Sequence, residues 1–103
     1  MLVRQTASFD YDPAVMYLSF RDPAAERVDR VQELISAWMG NRGVACDCTR
    51  KLLIVQKDGR TPSRVRVLIQ WVCRRCLDRL VSRLADTFGS QLTEIVLGAD
   101  ESD

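Results

Sequence analysis

The stretch RVRVLIQWVCRRCLDRLVSRLADTF, residues 64–88, changes its hydrophobic period once. Over 64–72 apolar and polar residues largely alternate, which is the period of a strand. Over 73–88 the apolar residues recur every three or four positions, which is the period of a helix. The predicted apolar face of this helix consists of Cys73, Cys76, Leu77, Leu80, Leu84 and Phe88. A strand that runs directly into an amphipathic helix indicates a mixed fold, and the segments around it decide which one.

The segment upstream predicts a partner for this strand. Residues 44–57 are rich in β-forming side chains and are joined to 64–72 by a polar loop at 58–62, which is typical of a hairpin. An earlier helix carries a capping aspartate, a proline in its first turn and a closing glycine. These residues are Asp22, Pro23, and Gly40 or Gly43. The buried stripe of that helix is Ala24, Val28, Val31, Ile35 and Trp38.

Three further segments, 1–9, 14–20 and 91–97, alternate as strands do. The order is β-β-α-β-β-α-β, and without its first strand it becomes βαββαβ, the pattern of the ferredoxin-like sandwich. We therefore predict an α+β fold, a ferredoxin-like βαββαβ sandwich with an extra N-terminal β-strand and both helices on one face. Residues 1–98 are expected to form this single domain, and residues 99–103 an acidic tail.

The apolar residues also predict that the second face of the sheet is covered. The run Leu52–Val55 is apolar on both sides, and Leu68 lies on the side away from the predicted core. A sheet covered on one face only should alternate more cleanly. Either the N-terminal segment or a second subunit should therefore cover the other face, and we predict a homodimer.

Composition excludes several classes of protein. A chain of 103 residues, 47% apolar and 28% charged, is neither disordered nor membrane-spanning. We find no secretory leader and expect a cytoplasmic protein with no membrane partner. Histidine is absent, which removes the commonest general base, and no glycine-rich phosphate loop is present. The sequence therefore predicts a protein that is not an enzyme.

Charge is segregated along the chain. The net charge is −2 over residues 1–49, +8 over 50–83 and −5 over 84–103. The positive field of the middle segment can steer an anionic partner. The residues predicted to form that surface are Arg60, Arg64, Arg66, Arg75, Arg79 and Arg83. We predict a small non-enzymatic regulatory or adaptor protein that binds an acidic protein partner, with nucleic acid as the alternative partner and a plain solvated surface as the simplest interpretation.

Four cysteines lie near one end of the predicted hairpin, namely Cys46, Cys48, Cys73 and Cys76. Cys48 and Cys73 are equidistant from the turn, so all four thiols can converge on a structural Zn²⁺. The nucleic-acid alternative would include this zinc site; otherwise no cofactor is expected. Buried core thiols and thiol redox chemistry are the other interpretations. Since the second helix lacks Ser, Thr, Asp or Asn at its start, a cysteine sulfur is expected to accept hydrogen bonds from its first amides.

The residues Trp-Val-Cys-Arg-Arg-Cys at 71–76 resemble the active-site turn of the thioredoxin family, in which a strand runs into a helix. That resemblance implies a proline opposite the cysteines and later in the chain, and no proline follows Pro62. The resemblance ends with these six residues. It implies a thiol redox switch at Cys73 and Cys76 as a second alternative, and it does not imply a thioredoxin.

Overall fold

The computed structural model describes residues 1–11, 13–22, 27–40, 52–70 and 72–98. Its elements are β1 (Leu2–Gln5), β2 (Ala14–Phe20), α1 (Arg27–Gly40), β3 (Leu53–Lys57), β4 (Arg64–Ile69), α2 (Arg74–Phe88), a 3₁₀ turn (Gly89–Gln91) and β5 (Leu92–Leu97). Within these ranges neither helix is both long and apolar enough to cross a membrane.

The five strands form one sheet in the order β1-β5-β2-β4-β3. The inner pairs β5–β2, β2–β4 and β4–β3 are all antiparallel, so the βαββαβ unit has its four strands in the order β5-β2-β4-β3. The extra strand β1 joins at the edge and runs parallel to β5. The chain therefore has a ferredoxin-like α+β fold with an additional N-terminal strand, as the sequence predicts.

The core lies between the two helices and one face of the sheet. Strand β2 alternates strictly, with Ala14, Met16, Leu18 and Phe20 buried against the helices. The predicted α1 stripe is buried at Val31, Ile35 and Trp38, and the predicted α2 face is buried at Cys76, Leu77, Leu80, Leu84 and Phe88. The opposite face, which we call the open face, carries Val15, Tyr17 and Ser19 of β2 together with the residues in register with them.

Strand β1 extends the sheet sideways, at its edge beside β5. All four of its residues are exposed. The strand is shorter than predicted because the Phe9 N–H donates to the Thr6 carbonyl at 3.2 Å, which closes a turn directly after it. The prediction that the N-terminal segment or a second subunit covers the second face of the sheet stays a prediction, since β1 itself lies at the edge of the sheet.

Candidate functional site

The side chains that form the candidate site lie at one end of the sandwich. The first turn of α1 lies beside the end of β2, because Arg27 Nη2 donates to Gln91 Oε1 at 2.7 Å and the Arg27 guanidinium lies over the Phe20 ring. A helix of 14 residues is about 20 Å long. Its last turn, with Trp38, therefore lies at the opposite end of the sheet, where β2 begins, β4 ends and α2 starts. We call this the Cys73 end and define it as residues 6–11, 38–40 and 72–76.

Aromatic rings line part of the Cys73 end. The rings of Phe9 and Tyr11 meet edge to face, with centroids 4.9 Å apart, and both pack against the core. The Tyr11 carbonyl accepts a hydrogen bond from the Val72 N–H at 3.1 Å, which ties this loop to the segment entering α2. This bond also explains why β4 ends at Ile69 rather than at residue 72, since Val72 pairs with the loop and not with β3.

The start of α2 is capped by sulfur. Cys73 is the residue before the first turn, and its Sγ accepts a hydrogen bond from the Cys76 backbone N–H at 3.5 Å. The prediction of a cysteine cap is confirmed. Cys73 is half-buried and Cys76 is buried.

The predicted zinc site stays untested by the structure, because Cys46 and Cys48 lie outside the described residues. Among the residues that the structure does describe, no group of three or more His, Cys, Asp or Glu side chains is placed to hold a metal ion.

Trp38 has a buried polar atom at the Cys73 end. The side chain is 3% exposed, and its Nε1–H has no hydrogen-bond partner within the described part of the chain. A buried tryptophan N–H ordinarily finds an acceptor, and leaving it without one costs about 1–3 kcal/mol. The sequence predicts that Trp38 is buried, but the missing acceptor depends on the tertiary structure and has no signal in the sequence.

The structure places the six predicted arginines in three separate regions. Arg64 and Arg66 lie on the open face, where they are in register with Ser19 and Tyr17. The exposed side chains of Arg75, Arg79 and Arg83 belong to α2, on the opposite side of the sheet. Arg60 is exposed in the loop between β3 and β4. The alternation of 64–69 together with the predicted helix layer could have indicated this separation.

Arg64 is engaged within the chain. Its Nε lies 2.6 Å from Asp58 Oδ2, and its guanidinium lies over the Tyr17 ring at 4.9 Å from the centroid. The pKa of Asp58 lies below its ordinary value, chiefly because the Arg60 backbone N–H donates to Oδ1 at 3.0 Å; the Arg64 side chain lowers this pKa further, and burial opposes both. The pair anchors the β3–β4 loop to the sheet.

No family model matches the chain, and no curated protein sequence is similar to it. Among solved structures, the chain is similar in fold to a "putative antibiotic biosynthesis monooxygenase" from Deinococcus radiodurans. The two share 17% sequence identity and a TM-score of 0.49, over 88% of this chain and 91% of the other. A likeness at this identity concerns the fold and assigns no reaction to this chain.

This comparison corrects three predictions. The sequence predicts a non-enzymatic regulatory or adaptor protein for an acidic partner, whereas the name of the similar structure is that of an enzyme acting in small-molecule chemistry. The prediction that the chain is not an enzyme is wrong on the same finding, as is its description as a regulatory binding protein. The absence of histidine does not exclude an enzyme, because tyrosine and cysteine side chains also serve as general acids and bases.

Proposed function

We propose that this chain binds a small molecule with an aromatic body and an acceptor oxygen at the Cys73 end, and acts on it as an enzyme. The observation that carries this proposal is the buried Trp38 Nε1–H without an acceptor among the described residues. An oxygen of the bound molecule would satisfy this donor and recover the free energy that its burial costs, about 1–3 kcal/mol. The proposal rests on Trp38 and not on the likeness of fold.

The surroundings of the Cys73 end suit such a molecule. Small-molecule sites are mostly apolar and aromatic, with a few polar groups that fix orientation. Phe9 and Tyr11 offer ring edges, and the sulfur atoms of Met39 and Cys73 are polarizable partners for an aromatic ligand. These four side chains are all partly buried, which would let a ligand contact them without unfolding the core.

The same groups supply a rationale for catalysis. A donor held in a buried site stabilises negative charge that develops on a substrate oxygen far better than water does. Trp38 would fill that role for a reaction in which a carbonyl or phenolic oxygen gains negative charge. The Cys73 thiol and the Tyr11 hydroxyl are candidate proton carriers at the same end.

The test uses a matched pair of probes, acetophenone and α-methylstyrene, which have the same shape but differ in the acceptor oxygen. Indole N–H signals of the ¹⁵N-labelled chain are followed during each titration, and Trp38→Phe assigns the Trp38 signal. We expect acetophenone to shift that signal and to bind about fivefold tighter than α-methylstyrene, the ratio that a hydrogen bond of about 1 kcal/mol produces.

The Trp38→Phe variant tests whether Trp38 causes the preference for acetophenone. Trp38→Phe should bind both probes equally, whereas Gln32→Ala, an exposed change on α1, should keep the preference for the ketone. Dispersed amide signals in the same spectra show that each variant is folded. Equal binding of the two probes to the unmodified chain, or a preference that survives Trp38→Phe, would contradict the proposal.

A further inference from the structure

Three arginines border the end of the sandwich that lies opposite to the Cys73 end. We call it the Phe88 end and define it as residues 20–22, 27–30 and 88–91. Arg21 follows β2, and Arg27 and Arg30 lie in the first turn of α1. Since α1 is about 20 Å long, the Phe88 end is remote from Trp38 and from the ligand site proposed there.

Two of these arginines stack on aromatic rings. The Arg27 guanidinium lies 5.1 Å from the centroid of the Phe20 ring. The Arg30 guanidinium lies 5.9 Å from the centroid of the Phe88 ring. The two rings are buried and meet edge to face, with centroids 5.2 Å apart. A buried ring beneath a guanidinium fixes its orientation without neutralising its charge, so both cations are held beside each other on one turn of α1.

The third arginine is held by the backbone of the 3₁₀ turn after α2. Arg21 Nε donates to the Ser90 carbonyl at 2.7 Å, and the Arg21 backbone N–H donates to the Gln91 carbonyl at 3.0 Å. The Gln91 side chain accepts a hydrogen bond from Arg27. Arg21 and Arg27 therefore border the same turn, and Arg30 lies one helical turn further along α1.

No carboxylate neutralises the charges of Arg21 and Arg30. Neither residue forms an ion pair within the described part of the chain. Asp22 and Asp29 are exposed residues of the Phe88 end, and neither pairs with these two arginines. Arg30 also lies in the first turn of a helix, where the helix dipole disfavours a cation. An anion bound at the Phe88 end would offset both unfavourable terms.

We propose that Arg21, Arg27 and Arg30 bind the phosphate group of a small molecule. A guanidinium presents its N–H groups as a planar fork that matches two oxygens of an oxyanion. A phosphate monoester has three terminal oxygens and roughly two negative charges at neutral pH, so it can accept from several forks at once. A carboxylate has fewer oxygens and one charge, and it suits three cations less well.

The flanking residues favour a small ligand over a long polyanion. Asp22 and Asp29 lie beside the arginines and would repel the further phosphates of an extended chain. The phosphate site goes beyond the ligand site at the Cys73 end and does not depend on it.

The experiment titrates the full chain with inorganic phosphate, phenyl phosphate and benzoate at constant ionic strength. Arginine Nε–H signals of the ¹⁵N-labelled chain are followed, and Arg21→Gln and Arg30→Gln assign the signals of those two residues. We expect both phosphates to shift the Arg21 and Arg30 signals saturably, and the Trp38 indole signal to stay in place. Benzoate should bind at least about threefold more weakly than phenyl phosphate, because it carries less charge.

Variants decide whether these arginines form the site. Arg21→Gln and Arg30→Gln should each weaken phenyl phosphate binding about threefold or more, since each removes a charged donor from an exposed site. Arg30→Lys keeps the charge but loses the planar fork, so it should also bind more weakly. The matched control is Arg83→Gln on the exposed side of α2, which should leave the affinity unchanged.

Dispersed amide signals in the same spectra show that each variant is folded. Weaker binding in the Arg21 and Arg30 variants, with full affinity in Arg83→Gln, supports the site. Four results would overturn it: no saturable shift up to about 20 mM phosphate, equal affinity for benzoate, unchanged affinity in the Arg21 and Arg30 variants, or an equal loss in Arg83→Gln.

Discussion

Among the glycines that the structure describes, Gly98 has the least room for a side chain. Its φ is 108°, and a Cβ there would collide with Thr6 Oγ1 and lie 3.1 Å from Phe9 Cα. Its N–H donates to the Val15 carbonyl at 2.8 Å, so the chain cannot move away without breaking the link between β5 and β2. Gly98 therefore holds the loop that carries Phe9 and Tyr11 against the sheet.

We predict that Gly98→Ala lowers the free energy of unfolding by about 2–3 kcal/mol, from backbone strain and from the collision with Thr6. Urea denaturation at neutral pH measures the change. The control is Gly59→Ala in the β3–β4 loop, where an added Cβ meets nothing within 4 Å. That variant should stay within about 0.5 kcal/mol of the unmodified chain. Equal stability of the two variants would show that the close approach at Gly98 is not a constraint.

Asp58 gives the stability a dependence on pH. Since the pKa of Asp58 is lowered by the Arg60 N–H and by Arg64, its carboxylate stabilises the fold above the ordinary value of 3.8. That contribution is lost as the pH falls through the lower pKa of the folded state. We predict that Asp58→Asn costs about 1–2 kcal/mol at pH 7 and progressively less in strong acid.

Urea denaturation at pH 7 and at about pH 2.5 tests this prediction. Asp78→Asn, an exposed change on α2, serves as the control and should change the unfolding free energy by less than about 0.5 kcal/mol at pH 7. A cost of Asp58→Asn that is the same at both pH values would mean that the charge of Asp58 does not contribute.

At the scale of elements, α2 depends on its unusual cap. The Cys73 Sγ accepts from the Cys76 N–H, which is one of the amides that a helix start leaves without a partner. We predict that Cys73→Ala lowers the free energy of unfolding by about 1 kcal/mol, whereas Cys73→Ser keeps it, because serine is among the preferred capping residues. Urea denaturation with a reductant present compares the two. If the alanine variant is as stable as the unmodified chain, sulfur does not cap this helix.

The elements differ in how far the sequence predicts them. The β2 alternation and the α2 face depend on periodicity within a few residues, and the structure confirms both. The ends of β1 and β4 depend on hydrogen bonds that Phe9 and Val72 make outside their own strands, with Thr6 and Tyr11 as acceptors. Such bonds leave no periodic signal, so the sequence predicts these two strands as longer than they are.

At the scale of the whole molecule, the candidate site and the open face occupy different places, and the sequence predicts neither location completely. A count of charges along 50–83 indicates one basic surface, but the sheet divides it, with Arg64 and Arg66 on one side and the arginines of α2 on the other. The lack of an acceptor for Trp38 Nε1 among the described residues depends on how residues distant in the chain pack together. The apolar character of both sheet faces, in contrast, can be predicted from Leu52–Val55 and Leu68 alone.

The position of β1 has a consequence for the order in which the sheet is assembled. Among the described strands, β1 pairs with β5 alone, and β5 is the last of them in sequence order. The two strands are separated by nearly the full length of the domain, so their contact closes a very long loop. During synthesis β1 leaves the ribosome before the other described elements, yet its pairing edge does not exist until β5 has been made and has docked beside β2. Among the described strands, β1 is therefore made first and is the last that can join the sheet.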